Sequence, residues 1–238
     1  MLRAVTFDFW GTLYESAFAR EERIQLLQET LALHGQPGDR ADLEQAVGQA
    51  WQMLDHAWRR DHRSPGAAAY LEHVLRAMRA TLPATAVAAL RRSIEEVYLA
   101  SNKPRMLAGV AEVLPVLASR YRIGLISDVG LTPGRLMRHV LDRDGLLQNF
   151  DALSFSDEVG VTKPEEQIFR HSLDELGVRP PEAAHVGDLP ETDIAGAQAA
   201  GMRAVLFLGK SWREDDLSLA DASFERYEEL PALLASLD

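Results

Sequence analysis

Cysteine is absent from this sequence, which excludes disulfides, thiolate metal sites and a cysteine nucleophile. Nor does any apolar run approach the ~18 residues of a membrane-spanning helix. Basic residues are in the minority: 25 lysines and arginines stand against 36 aspartates and glutamates, for a formal net charge of −11. That balance opposes nonspecific binding to nucleic acid or to an anionic membrane, since both need basic patches. It leaves room for a local anion site, and it says nothing about oligomeric state. Internal repeats and low-complexity segments are also missing. Met1-Leu2-Arg3 runs straight into strand-like text, without space for the charged, apolar and cleavage regions of a signal peptide. Together with the lack of cysteine, this sets the expectation of a cytoplasmic protein. What remains is an ordinary globular mix, 47% hydrophobic and 26% charged over 238 residues, enough for one large or two modest domains.

What the chain does contain is organised around its N-terminal run, Ala4-Val5-Thr6-Phe7-Asp8-Phe9-Trp10-Gly11-Thr12-Leu13-Tyr14. A β-branched and aromatic run that ends in a carboxylate and then Gly-Thr reads as a buried strand delivering Asp8 to a tight turn. In open α/β sheets, ligands bind at that end of the strand. After Tyr14 the period becomes helical: residues 18–33, 43–58, 67–78 and 87–99 carry apolar side chains three and four apart, with charged faces between them. The breaks at 34–38, 61–66 and 81–83 are rich in helix-stopping chemistry. Four such helices joined by short loops predict a small bundle inserted after the first strand. From Asn102-Lys103-Pro104 onward, apolar runs at 121–127, 152–156, 183–187 and 204–208 alternate with helical stretches at 110–120, 135–141, 165–176 and 194–200. This alternation predicts an α/β core, a parallel sheet with right-handed crossovers and helices on both faces. A further edge strand is expected at 222–224 and a last helix near 230–237. The expected domains are a core of residues 1–14 plus 104–238 and a helical cap of 15–103, hinged near Tyr14-Glu15-Ser16 and Ser101-Asn102-Lys103-Pro104.

Three more strand ends present polar groups of complementary kinds. One apolar run closes on Ser127-Asp128; Lys163 sits in Val161-Thr162-Lys163-Pro164, ahead of a helix that begins at Glu165; and a third run passes through His185 to Asp188 and Asp193, five apart, with Glu191 between them. All fall at or beyond the carboxyl edge of a predicted parallel strand, so they are expected to converge on Asp8. Each also has a plainer reading: Ser127 as a turn residue, Lys163 as a solvated loop charge, Asp188 and Asp193 as helix caps favoured by the dipole. Their joint placement is what argues for a site. His185 reads either as an acid or as a buried core histidine. Arg59-Arg60-Asp61-His62-Arg63 reads either as a lid loop that meets an anionic substrate or as a helix end whose basic residues complement the dipole. Trp51 and Trp58, seven apart, read as packing inside the bundle.

In order, Asp8-x-x-Gly11-Thr12-Leu13, Ser127, Lys163-Pro164, and Gly187-Asp188 with Asp193, followed by Gly196-Ala197 and Ala200-Gly201-Met202, resemble the four motifs of the haloacid dehalogenase (HAD) superfamily, with a helical cap inserted after the first. The resemblance implies a Rossmann-like three-layer core and an aspartate nucleophile. It implies Mg2+ held by Asp8, the backbone carbonyl of Trp10 and Asp188. In the phosphatases of the family, Asp8 would attack phosphorus and form an aspartyl phosphate. Lys163 and Ser127 would hold the phosphoryl oxygens, helped by turn amides near Gly11 and Thr12. Asp193 would orient Lys163 or a metal-bound water. Physics agrees with the cation: two carboxylates about 4 Å apart repel by ~4 kcal/mol at an effective dielectric of 20, so they need a counter-ion or a raised pKa.

Trp10 departs from the phosphatase pattern, which has a second Asp two residues after the nucleophile to protonate the leaving oxygen. General acid–base groups contribute about 10² to 10⁴ in rate. The dehalogenases of the family resemble this chain in carrying an aromatic there, but they follow the serine with Asn where this chain has Asp128, and they do not need the metal carboxylate that Asp188 supplies. Three readings therefore stand: a magnesium-dependent phosphatase acting on a small, anionic phosphorylated metabolite, a 2-haloacid dehalogenase, or a binding protein on the same fold.

Overall fold

The computed structural model describes residues 1–16, 19–36, 38–100, 103–209 and 219–237. Its centre is β1 (Ala4–Phe7), whose four residues are all buried. A strand so placed needs partners on both edges, and it has them in β2 (Arg122–Ser127) and β4 (Ala183–Gly187). With β3 (Ala152–Phe155), β5 (Arg203–Phe207) and β6 (Ala222–Phe224), they form a sheet of order β3-β2-β1-β4-β5-β6 in which every pair is parallel. Parallel sheets are buried on both faces, which is why these strands read as nearly unbroken apolar runs. The order reverses direction at β1, the switch point outside which α/β folds bind ligands.

The two faces are covered separately. Val5 and Phe7 belong to the larger core cluster, with α5 (Val110–Ala118), α6 (Gly134–Arg143) and α10 (Leu230–Ser236). Ala4 and Ile126 face the other, with α8 (Glu166–Leu176) and α9 (Ala195–Ala199). The result is a three-layer α/β core. Ser156 does not end β3 but opens a short helical turn, α7 (Ser156–Val159), because its hydroxyl accepts the Val129 N–H at 2.9 Å and draws the chain away from the ladder.

Between β1 and α5 lie α1 (Arg20–Leu33), α2 (Arg40–Asp61), α3 (Gly66–Ala77) and α4 (Ala84–Ala100). Their apolar stripes build a third cluster around Ile24, Leu27, Val47, Tyr70, Val74 and Ile94. Asp39 caps α2 by accepting the Ala41 N–H at 2.7 Å, one of the donors that a helix start leaves free. The chain enters and leaves this helical layer through adjacent segments: Glu15 N donates to Arg105 O and Leu107 N to Leu13 O, both at 2.9 Å. Ser101 and Asn102 of the expected hinge, and Phe18 at the expected start of the first helix, lie outside the described residues. No described helix is long and apolar enough to cross a membrane.

Gly134 shows how tightly the core is closed. A Cβ built on it would lie 2.5 Å from Cγ of Phe155, a ring with no exposure at all. Alanine suits helices better than glycine by about 1 kcal/mol, but overpacking typically costs ~1–3 kcal/mol. Gly134→Ala is expected to lose about 1–2 kcal/mol net, read in a thermal melt as a Tm lower by roughly 2–8 °C. An unchanged Tm would mean that Phe155 has room to move.

Candidate active site

Asp8 follows β1 directly, and its N–H continues the ladder to Val186 O at 2.9 Å. The side chain is 5% exposed. Lys163, 2% exposed, donates from Nζ to Asp8 Oδ1 at 2.5 Å and to Asp193 Oδ1 at 2.6 Å. Asp193 is fully engaged: Oδ1 also lies 3.3 Å from His185 Nε2, while Oδ2 accepts the Leu189 N–H at 3.0 Å. Behind it, His185 Nδ1 lies 2.9 Å from Thr6 Oγ1. His185 is therefore a buried member of this network, remote from solvent.

One ammonium faces several carboxylates, and the protonation equilibria follow. Burial would strip Lys163 of its proton, but Asp193 and Asp8 outweigh burial and hold its pKa above the ordinary lysine value. Burial likewise works to raise Asp193, yet Lys163 and His185 bring it below the usual carboxylate range. Asp8 is raised, first by burial and then by Asp193 and Asp188, against the pull of Lys163. Asp188 is pushed up to about 7 by burial and by Asp193. Oxygens of Asp8, Asp188 and Asp193 all lie within 4.8 Å of one another. With both Asp193 oxygens committed, Asp8 and Asp188 remain as donors for a cation. Carboxylate oxygens at a hard, all-oxygen site suit Mg2+.

The loop that closes on Asp188 depends on Gly11. Its φ is +80°, and a Cβ there would fall 2.3 Å from Asp188 Oδ2. Thr12 Oγ1 donates to Asp188 Oδ1 at 3.4 Å, and the Thr12 carbonyl accepts the Tyr227 hydroxyl at 2.6 Å. Of the turn amides expected near the phosphoryl oxygens, that of Gly11 donates to Tyr14 O at 2.7 Å and closes the turn. Ser127 is also buried, and its hydroxyl turns back on the Asp128 carbonyl at 3.3 Å.

Above Asp8 lies a cavity of about 420 Å³ between the helical layer and the sheet, walled in part by Asp8, Trp10, Lys163 and Asp188. Ser127 and Thr12 are not on its wall. Arg59 and Arg63 of the α2–α3 loop are, though Arg59 also pairs with Asp55 at 2.9 Å. His62 of the same loop bonds Glu165 at 2.5 Å, and its carbonyl accepts the Thr162 N–H at 3.0 Å.

Two residues matter more than their sequence context suggests. Trp51 packs against the bundle cluster, as expected, but Trp58 does not stay inside the bundle. It reaches across the cavity, and its indole N–H donates to Asp128 Oδ2 at 2.8 Å. Asp128 Oδ1 accepts the backbone N–H of Lys163 at 2.9 Å. Asp128 thus joins the helical layer to the segment that holds the central lysine, which accounts for its carboxylate. Burial raises its pKa, while Lys163 and the Trp58 N–H lower it. An Asn could supply only one acceptor oxygen and would aim its NH₂ at the other donor. The one available hint was position: Trp58 stands at the end of α2, beside the charged loop.

The chain is similar to known proteins in sequence and in fold. The family model described as haloacid dehalogenase-like hydrolase matches residues 2–201. A phosphoserine phosphatase of Thermus thermophilus is 35% identical over 125 residues, 52% of this chain and 49% of that enzyme, so the match spans about half of its length. A glyceraldehyde 3-phosphate phosphatase of Methanopyrus kandleri is 28% identical over 97% of this chain and 96% of its own. Among solved structures, a 2-haloacid dehalogenase from Pseudomonas syringae pv. Tomato DC3000 superposes with a TM-score of 0.74 at 28% identity, covering 100% of both chains.

Trp58→Phe removes the indole donor and leaves Asp128 Oδ2 buried and unpaired, at an expected cost of ~1–3 kcal/mol. Adding Asp128→Asn should recover part of it, because the amide oxygen can keep the Lys163 N–H while its NH₂ faces the phenyl ring. A urea-denaturation double-mutant cycle should give a coupling of at least ~0.5 kcal/mol. Strictly additive losses would show that the two side chains are not bonded in solution.

Proposed function

Because the chain belongs to the haloacid dehalogenase-like hydrolases, we propose that it is a magnesium-dependent phosphatase using Asp8 as its nucleophile on a small phosphorylated substrate. The observation that carries this reading is Asp188, a half-buried carboxylate close to Asp8 and pushed up to about 7 by desolvation and by Asp193. Carbon–halogen displacement gives such a group nothing to do, whereas a metal-assisted phosphoryl transfer uses it. Residues 15–103 act in this reading as a cap over a core of 1–14 and 104–238.

Asp8 and Asp188, with the carbonyl of Trp10, would hold Mg2+. Bound there, the ion would offset the carboxylates' repulsion and draw charge from the phosphoryl oxygens. Asp8 attacks phosphorus as the P–O bond to the leaving group breaks, and the leaving oxygen departs with the electron pair. Water then attacks the phosphorus of the aspartyl phosphate, restoring the Asp8 carboxylate and releasing phosphate that keeps both of the water's protons. Lys163 stays protonated between Asp8 and Asp193 and offers its charge to the phosphoryl oxygens. Ser127 is a second contact for them once its hydroxyl turns from the Asp128 carbonyl. Asp193 positions the lysine.

A second reading keeps the same nucleophile but directs it at carbon. Trp10 on the cavity wall and the full-length likeness to a 2-haloacid dehalogenase favour it. A panel of phosphate esters and 2-haloacids, assayed with Mg2+ and with EDTA, separates the two. Phosphate release that needs Mg2+ supports the first reading, and halide release that ignores EDTA replaces it.

Asp188→Asn should weaken Mg2+ binding by at least ~10-fold in calorimetry, since even groups behind the metal ligands are worth 10–100-fold. The fold should persist because the site is peripheral to the core clusters. Unchanged affinity would remove Asp188 from the ligand set.

Trp10→Asp returns a carboxyl group to the place where related phosphatases have their acid. An alkyl phosphate, whose leaving oxygen needs a proton, should gain about 10²-fold or more. p-Nitrophenyl phosphate should gain far less. Trp10 is half-buried against Phe9 and Tyr98, so melting temperature belongs beside the rates, and Trp10→Asn serves as the control that cannot donate as an acid. Equal gains for both substrates, or an equal effect from Asn, would show that position 10 is not the acid's place.

A further inference from the structure

Three tryptophans line the cavity above Asp8. Trp10, Trp51 and Trp58 share its wall with Tyr98, and Leu54 and Leu131 add aliphatic surface. This is a marked concentration in a chain that is only 7% aromatic. The rings are also held in place. Trp51 is backed by buried Tyr70 at 5.9 Å between centroids, Trp10 lies 5.8 Å from Tyr98, and the indole of Trp58 is pinned by Asp128. Arg59 stacks over the Trp58 ring at 4.9 Å and is paired with Asp55, so its guanidinium is occupied. Asp8, Lys163, Asp128 and Asp188 meet at the floor, and Asp55, Arg59 and Arg63 of the helical layer complete the charged part of the lining.

We infer that the substrate is a phosphate monoester of a planar aromatic alcohol, its ring lodged among Trp10, Trp51 and Trp58 and its phosphoryl group on Asp8 and Lys163. The inference rests on the phosphatase reading and names the leaving group that it requires. A volume of about 420 Å³ lies toward the lower end of the ~300–1,000 Å³ typical of ligand clefts, the size for one or two rings. A polyhydroxylated leaving group would press those hydroxyls that face Trp10, Trp51 and Trp58 against indole, where they find no partners. Position 10 makes a second, independent argument. With an indole where an acid would stand, the leaving oxygen must depart unprotonated, and a phenolic oxygen does so by spreading the electron pair into its ring. The aryloxide then takes its proton from solvent, and the overall change is aryl phosphate plus water to phenol plus inorganic phosphate.

Acetyl phosphate is the decisive control, because acetate leaves more readily than phenolate but has no ring. With Mg2+ present, kcat/KM for phenyl phosphate is expected to exceed that for acetyl phosphate by at least ~10-fold, against the order of leaving-group ability. Trp51→Leu should shrink that ratio severalfold, and a ratio taken within one variant cancels any loss of folded enzyme. Binding gives a readout free of turnover: benzylphosphonate should bind more tightly than methylphosphonate, seen by calorimetry and as a change in tryptophan fluorescence. Faster turnover of acetyl phosphate with equal binding of the two phosphonates would overturn the inference and leave the phosphatase reading standing. Preference for uridine monophosphate over phenyl phosphate would also overturn it, since the ring would then be a base and the leaving group an alkyl alcohol. Silence with every phosphate compound would overturn both, and it is told apart from the first result because acetyl phosphate is hydrolysed there.

Discussion

A buried ammonium is the constraint on which the rest of the site depends. Removing an ion from water costs several kcal/mol even after relaxation, so Lys163 can sit at 2% exposure only if anions are brought to it from elsewhere in the fold. They come from three places along the chain: Asp8 from the end of β1, Asp193 from the turn after β4, and Asp128 from the end of β2, which holds the lysine's backbone. A parallel sheet is what makes this possible, because every strand ends on the same edge. The register that pairs Phe7 with both Leu125 and Val186 brings those three ends side by side. Lys163 answers only part of the charge gathered there, and that imbalance makes the site receptive to a divalent cation.

The same segment joins the two parts of the molecule. Thr162 N donates to the carbonyl of His62, and Lys163 N donates to Asp128, which in turn receives the Trp58 indole. The helical layer therefore meets the core in part through the residues that hold the lysine. Hydrogen bonds net about 0.5–1.5 kcal/mol between neutral groups and about 1.5–3 kcal/mol to a charged one such as the Asp128 carboxylate, and they stand beside apolar contacts between the layers such as Leu131 with the bundle cluster and Trp10 with Tyr98. The clusters inside each layer, formed by wholly buried Leu, Ile and Phe side chains, supply the cohesion.

How much of this was legible depended on whether a strand end marks the residue. The sheet and its helices follow from local periodicity, and β4 occupies the predicted residues 183–187. Asp8, Lys163 and Asp188 could be read as neighbours because each follows a strand in a fold where strand ends converge. Trp58 could not, since it stands on α2 and not at a strand end, and nothing in a helical period marks an indole that bonds Asp128 outside the bundle. The directions of hydrogen bonds were equally hidden. That Ser127 turns to its neighbour's carbonyl and Gly11 closes its own turn are choices made by local geometry among acceptors that the sequence only counts.

The two departures from the family pattern become intelligible once they are seen in the same cavity. Trp10 stands where the resemblance places a proton donor; Asp128 adds a half-buried carboxylate, held by the N–H groups of Trp58 and Lys163. Trp10 adds an aromatic face to the space above Asp8, and Asp128 holds a second, Trp58, in place on its wall. A substrate spread with polar groups would lose hydration against that wall without regaining it. One whose charge is confined to the phosphoryl group, and whose remainder is flat and neutral, keeps its ions beside Lys163 and places its apolar surface against indole. Losing an acid is then tolerable only for a leaving group that carries its own negative charge well. On the phosphatase reading, the aromatic wall and the position without a proton donor favour the same chemistry.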